Sequence, residues 1–227
     1  MSFVVVTGPS RGIGRATALA FARRGLDVAL LGKASIGLEE AAEEVRKLDV
    51  RALAVACDVA VETDVSEAAA HVRSALGVPT VVVHNAGVVH RGARIDETSV
   101  ASWDEVLGVN LRGPFLVTRA FVPSMREANV GRLIFVGSIS STIGCPGTAS
   151  YAASKWGVLG LAKSLAEELR GTGLASIAVL PGAVDTAMLE GSGFEPQMTA
   201  EDVANTIVYA ALDAPVAMNG SAIEMFG

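Results

Sequence analysis

Cysteine is scarce in this chain: Cys57 and Cys145 are its whole complement. Two cysteines make no disulfide framework and lack metal-ligand spacing, so stability must come from packing, and a reducing compartment fits. Cys57 reads as a small core residue and Cys145 as a loop or pocket filler, since no lysine or histidine adjoins it to make a thiolate. Aromatic residues are only 5% of the chain. No apolar run approaches the roughly 20 residues needed to span a bilayer, so the hydrophobic content reads as buried core. Excess positive charge is also missing. At a net charge of -6 there is no overall basic field to hold nucleic acid or an anionic membrane, and any bound anion needs a local site. No charged leader precedes Phe3-Val4-Val5-Val6, so no targeting signal is read and the cytoplasm is the expected location.

What is present is apolar and glycine-rich: 51% hydrophobic residues and 24 glycines in 227 residues, material for one domain over 1–227. Short β-branched or apolar runs recur at Phe3 to Val6, Val28 to Leu31, Leu53 to Ala56, Val81 to Val83, Leu133 to Val136, Ile177 to Leu180 and Ala222 to Met225. Between them, helical spacing with polar faces covers Arg15 to Arg24, Leu38 to Leu48, Glu62 to Leu76, Trp103 to Glu127, Tyr151 to Arg170 and Ala200 to Leu212. Alternating strand and helix predicts a Rossmann-type, doubly wound α/β fold, its seven-stranded, mostly parallel sheet covered by helices on both faces. Pro114 beside Gly113 predicts a kink or irregular turn in the fourth helical segment. In such a sheet ligands sit beyond the carboxyl ends of the strands, so the residues just after each strand carry the functional information.

After the first strand comes Thr7-Gly8-Pro9-Ser10-Arg11-Gly12-Ile13-Gly14. Gly8 permits a tight turn, Gly12 lets the backbone approach a pyrophosphate, Gly14 lets the helix pack on the strand, and the helix start supplies free amides. The spacing is GxxxGxG and not GxGxxG, so the position after a strand adds weight that the glycines alone lack.

With these residues in place the sequence resembles the short-chain dehydrogenase/reductase family, whose single-domain members carry TGxxxGIG here. The resemblance spans nearly the whole chain. Asp58-Val59 resembles the family's adenine-contacting pair, and Asn85-Ala86-Gly87 its NAG segment, with His84 where many members have asparagine. Pro181-Gly182 followed by Val184-Asp185-Thr186 resembles the segment that touches the nicotinamide. NAD specificity commonly uses a carboxylate at the end of the second strand; this chain has Gly32 and Lys33 there. Arg11 in the glycine turn and Lys33 beside the ribose favour NADP(H) over NAD(H), with Ser10, Ala34 and Ser35 available for further contacts.

The chemistry is carried by Tyr151-Ala152-Ala153-Ser154-Lys155. Tyr151 and Lys155, four apart at a helix start, project from one face. A free tyrosine, with a pKa of roughly 10, transfers protons poorly near neutrality. Lys155 is expected to lower that pKa by favouring the phenolate, while its other N–H groups hold the nicotinamide ribose. Ser138, just after the fifth strand, can hydrogen-bond a substrate oxygen. Hydride transfer to a carbonyl carbon leaves an alkoxide, and Tyr151 is the best-placed proton donor. The spacing matches the family's catalytic Ser, Tyr and Lys, and Asn110 matches its fourth member; the resemblance implies that Asn110 maintains a water linking Lys155 to solvent. An asparagine satisfying helix carbonyls near Pro114 is compatible with that role.

Val88, His90, Ile143, Cys145, Pro146 and Met188 are candidates for the substrate wall, with a short substrate loop around 188–198 and Phe194 able to close over an apolar substrate. The leading expectation is an NADP(H)-dependent reductase or dehydrogenase acting on a ketone and secondary alcohol, 3-oxoacyl thioesters included. A catalytically idle dinucleotide sensor on the same scaffold is the alternative, against which the complete Ser138, Tyr151, Lys155 and Asn110 set argues. A sugar-nucleotide epimerase would need more chain after Pro181. The resemblance also implies a homodimer or homotetramer paired through the helices of Trp103 to Glu127 and Tyr151 to Arg170, with Phe115, Leu116 and Trp156 facing away from the sheet.

Overall fold

The computed structural model describes residues 2–227. Seven parallel strands, β1 (Phe3–Thr7), β2 (Asp27–Gly32), β3 (Ala52–Ala56), β4 (Val81–His84), β5 (Gly131–Val136), β6 (Leu174–Pro181) and β7 (Ala222–Met225), form one sheet in the order β3-β2-β1-β4-β5-β6-β7. Strands β1, β2, β4 and β6 are buried along their full length. They are therefore continuous apolar runs, as strands covered on both faces must be. The period-2 alternation of strand side chains still sorts them between two cores. Val4, Val6, Val28, Leu30, Ile134 and Ile177 face one layer, and Phe3, Val5, Leu31, Leu133, Phe135 and Leu180 the other.

The first layer is closed by α1 (Gly12–Arg23), α2 (Ile36–Arg46) and α7 (Ala200–Val208), the second by α3 (Glu62–Leu76), α5 (Gly113–Ala128) and α6 (Ala149–Glu168). Ala16, Ala18, Ala20 and Ala22 give α1 a small-residue surface, which lets α7 lie directly against it. None of the helices among the described residues is long and apolar enough to cross a membrane.

Two of the expected helices are divided. The segment expected from Trp103 to Glu127 is α4 (Val100–Leu107), one π-helical turn (Gly108–Arg112) and then α5. The irregularity thus precedes Pro114, which occupies the first turn of α5. The segment expected from Ala200 to Leu212 likewise leaves α7 for a π-helical turn at Tyr209–Asp213. α1 begins at Gly12 and not Arg15, because the glycine turn itself runs into the helix.

Between β1 and β4 the winding of the sheet reverses, and at such a seam the connections leave in opposite directions and open a crevice. Thr7 and Asn85 fasten the seam. Thr7 Oγ1 donates to the Val83 carbonyl (3.3 Å) and accepts from the amides of Asn85 (3.0 Å) and Ala86 (3.1 Å). Asn85 Nδ2 returns two bonds of 3.0 Å to the carbonyls of Thr7 and Gly8. A cavity of about 1160 Å³ opens beyond these strand ends.

Candidate active site

The glycine turn forms one wall of the cavity. Gly8 has φ +66°, and a Cβ there would lie 2.8 Å from Ala86 Cα. A Cβ on Gly14 would lie 2.1 Å from the Gly8 carbonyl oxygen. Any side chain at either position would push α1 off the strand ends. Arg11, in extended conformation ahead of α1, gives the helix no side-chain cap, so the first-turn amides stay available to an anion. The segment after β6 reaches this wall: Thr186 lies 3.2 Å from where a Gly12 Cβ would be, and Val184 makes an isolated bridge to Met198.

Arg11 and Lys33 both line the cavity, but only Arg11 is without a protein ion pair among the described residues. Lys33 Nζ lies 2.9 Å from Asp58 Oδ2. Asp58 also accepts the Ala60 amide at 3.0 Å. Although partial burial opposes it, this pairing holds the Asp58 carboxyl below its ordinary range, and the same bond raises the Lys33 ammonium. The sequence expectation kept Lys33 for a phosphate and Asp58 for adenine as separate contacts. The folded chain joins them, because β2 and β3 are neighbours in register and end side by side.

At the other end Ser138, Tyr151 and Lys155 share the cavity wall. Ser138 leaves β5 in extended conformation and accepts the Ser140 amide (3.1 Å) on its hydroxyl. Tyr151 stands in the first turn of α6. Lys155 is buried one turn later, its Nζ donating to the Val136 carbonyl (2.9 Å) and lying 5.5 Å from the Tyr151 ring centroid. Burial pushes the Lys155 ammonium down to about 8. Burial also raises the Tyr151 phenol, against the pull of the Ser138 hydroxyl and the Arg91 charge. The expected lowering of Tyr151 by Lys155 is therefore not the net effect in the folded chain: the lysine is tied to a backbone carbonyl and desolvation dominates the phenol.

Asn110 sits in the π-helical turn and is buried. Its Oδ1 accepts the Val88 amide (2.8 Å), and its Nδ2 donates to the Val88 carbonyl (2.9 Å) and to Ser154 Oγ (3.1 Å). Ser154 Oγ in turn donates to the Tyr151 carbonyl (2.7 Å). Asn110 thus bonds across to the strand-end loop and not to helix carbonyls. A Gly87 Cβ would lie 3.5 Å from Asn110 Oδ1 and 3.8 Å from Lys155 Nζ, which places the backbone at Gly87 alongside both groups.

A family model described as short chain dehydrogenase matches residues 2–195. The chain belongs to the short-chain dehydrogenase/reductase family. It is 34% identical over 240 residues to the 2-(R)-hydroxypropyl-CoM dehydrogenase of Xanthobacter autotrophicus, covering 98% of this chain and 96% of the relative. It is 34% identical over 236 residues to the 3-oxoacyl-(acyl-carrier-protein) reductase FabG of Staphylococcus aureus, again covering 98% and 96%. Among solved structures, levodione reductase superposes with a TM-score of 0.94 at 27% identity, covering all of this chain and 96% of the other. A short-chain alcohol dehydrogenase from Sinorhizobium meliloti, itself described as putative, superposes with a TM-score of 0.91 at 29% identity, covering 98% and 94%. Membership makes the chain an oxidoreductase of a family that uses a nicotinamide cofactor. The residues present fit that group: Gly8 and Gly14 let α1 start tight against the strand ends, where a Cβ would strike Ala86 or the Gly8 carbonyl, and the uncapped first-turn amides of α1 are left for a phosphate.

In this family member the lining of the cavity end expected to receive substrate departs from the sequence expectation at one residue. Val88, Ile143, Cys145, Pro146 and Met188 line the cavity as expected, but His90 does not. His90 Nε2 meets Glu105 Oε2 at 2.8 Å and borders a separate, smaller pocket. The next residue, Arg91, lines the cavity instead. The loop at 188–198 contributes Leu189, Ser192, Phe194, Glu195 and Gln197 to the cavity lining. Sequence reasoning missed Arg91, Thr7 and Ser154. Thr7 and Ser154 were visible inside the motifs, but their partners are distant in sequence and only the fold brings them together.

Proposed function

We propose that this protein is an NADP(H)-dependent oxidoreductase that interconverts a ketone and a secondary alcohol, 3-oxoacyl thioesters being one candidate class. The observation that carries the reading is the placement of Ser138, Tyr151 and Lys155 on one wall of a cavity whose other end is the glycine turn. The relatives' names, an oxoacyl reductase and a hydroxypropyl dehydrogenase, specify a ketone and a secondary alcohol. Arg11, uncommitted to any carboxylate, supports NADP(H) over NAD(H), with Lys33 shared between Asp58 and a 2'-phosphate.

Gly8, Ser10, Arg11, Gly12, Ile13 and Gly14 would hold the diphosphate and adenosine side, with Lys33, Asp58, Val59, Asn85, Ala86 and Gly87 across the crevice. Pro181, Gly182, Val184 and Thr186 would face the nicotinamide. NADPH, when bound, supplies the hydride. Ser138 orients the carbonyl oxygen, and Tyr151, kept protonated by burial, gives its proton to that oxygen as the electron pair collects there. Lys155 keeps its ammonium beside the phenol and offers its remaining N–H groups to the ribose. Asn110 fixes the Val88 backbone and, through Ser154, the start of α6. The enzyme works as a cytosolic homodimer or homotetramer.

Nicotinamide absorbance, followed with NADPH and NADH over ketones, aldehydes, quinones and 3-oxoacyl thioesters, tests the reading. Turnover that favours NADPH and disappears in Tyr151→Phe is the expected result. Cofactor binding without turnover of any carbonyl would instead favour a dinucleotide sensor.

A further inference from the structure

The substrate end of the cavity is mostly apolar, with Ile143, Pro146, Met188 and Phe194 among its lining residues. Arg91 interrupts that surface. The other cations of the cavity are accounted for: Arg11 and Lys33 belong to the glycine-turn end, and Lys155 is tied to the Val136 carbonyl. Arg91 has no hydrogen bond or ion pair among the described residues, and neither Asp185 nor Glu195, the carboxylates on the opposite loop, pairs with it. Most other arginines of the chain are engaged with a carboxylate or a carbonyl, as Arg15, Arg24, Arg51, Arg112 and Arg132 are.

The backbone that carries Arg91 is fixed on both sides. Asn110 holds Val88 by its amide and its carbonyl (2.8 and 2.9 Å), and the Gly92 amide donates to the Gly147 carbonyl (3.1 Å). Gly147 belongs to the loop that leads into α6 and Tyr151. From this tethered backbone Arg91 lines the same cavity as Tyr151, on whose phenol its charge acts. An unpaired, exposed guanidinium on a tethered stretch of backbone at the mouth of an apolar cavity is a receptor for a carboxylate, sulfonate or phosphate, which it can bind in bidentate fashion.

Resting on the reductase reading above, we propose that Arg91 anchors an anionic group of the substrate, so that the preferred substrates are ketones carrying an acid a few bonds from the carbonyl. Matched pairs test this: 3-oxobutanoate, 4-oxopentanoate and 5-oxohexanoate, each against its methyl ester, with NADPH. At one chain length the acid should be the better substrate. Arg91→Gln should lower kcat/KM for that acid about 10- to 100-fold more than for its ester, the loss expected for a charge-assisted hydrogen bond, mainly through KM, with Arg91→Lys recovering part of it. Esters preferred at every length, or an acid preference that survives Arg91→Gln, would overturn the proposal. An equal loss on acid and ester with a displaced pH profile would also overturn it, since Arg91 would then act on Tyr151 alone. The same pairs titrated by fluorescence against NADPH-loaded Tyr151→Phe read the anchor without turnover: tighter binding of an acid, lost on adding Arg91→Gln, supports it, and equal binding overturns it. Failure of all carbonyls to turn over in the wild type, with NADPH bound, would count against the reductase reading and leave this binding result standing.

Discussion

His84 stacks on Phe135 with ring centroids 4.3 Å apart, bonds Thr118 through Nε2 at 3.1 Å, and leaves its buried Nδ1 without a partner. Desolvation pushes its pKa from an ordinary 6.5 to about 3. Between those values the unfolded chain binds a proton that the folded chain refuses, so stability falls as pH drops from about 6.5 toward 3. His84→Asn should flatten that dependence, read from urea midpoints at pH 7.5, 5 and 4; parallel slopes in both proteins would exonerate the imidazole. Residues of this kind set the limit of sequence reading. Tyr151, Lys155 and Ser138 were legible because their spacing places them on one helix face and one strand end. The choice between His90 and Arg91 was not, because which of two adjacent loop residues turns inward depends on tethers from Asn110 and Gly147.

The elements themselves were legible where one apolar period runs unbroken, as in α3, whose bounds Glu62–Leu76 match the expectation. The π-helical turn at Gly108–Arg112 was not. It adds one residue to a turn while the apolar spacing on either side continues, so Pro114 beside Gly113 announces an irregularity without giving its kind or its place one turn earlier. That extra residue turns Asn110 toward Val88. Asn110→Ala would leave the Val88 amide and carbonyl and the Ser154 hydroxyl to find other partners. We expect a loss of about 1–3 kcal/mol in denaturant unfolding, with faster amide exchange at 87–92. Unchanged stability and exchange would mean that the loop holds without the bracket.

On the scale of the molecule, two large side chains on the second-layer helices remain uncovered: Phe115 of α5 is 48% exposed and Trp156 of α6 is 53% exposed, whereas Leu116, expected beside them, turns inward and is buried in the second core. We expect a second copy to cover them. Sedimentation equilibrium should give a dimer or tetramer, and Trp156→Glu should lower the mass while far-ultraviolet circular dichroism is retained; a wild-type monomer would contradict this. Class, strand number and parallel sense could be read from alternating strand and helix, and the place where ligands sit followed from them. The seam between β1 and β4 rests on contacts 77 residues apart in the chain, as between Val5 and Val82. That separation has a consequence for synthesis. While the polypeptide is being made, β1 can pair with β2 on one side, but its other edge stays open until residues 81–84 have emerged. A ribosome stalled before that point would hold a bare valine edge able to pair with a neighbouring nascent chain. When the seam closes the open edge passes to β4, whose other neighbour β5 (Gly131–Val136) is still to be made, so chaperone demand should persist past the midpoint of translation.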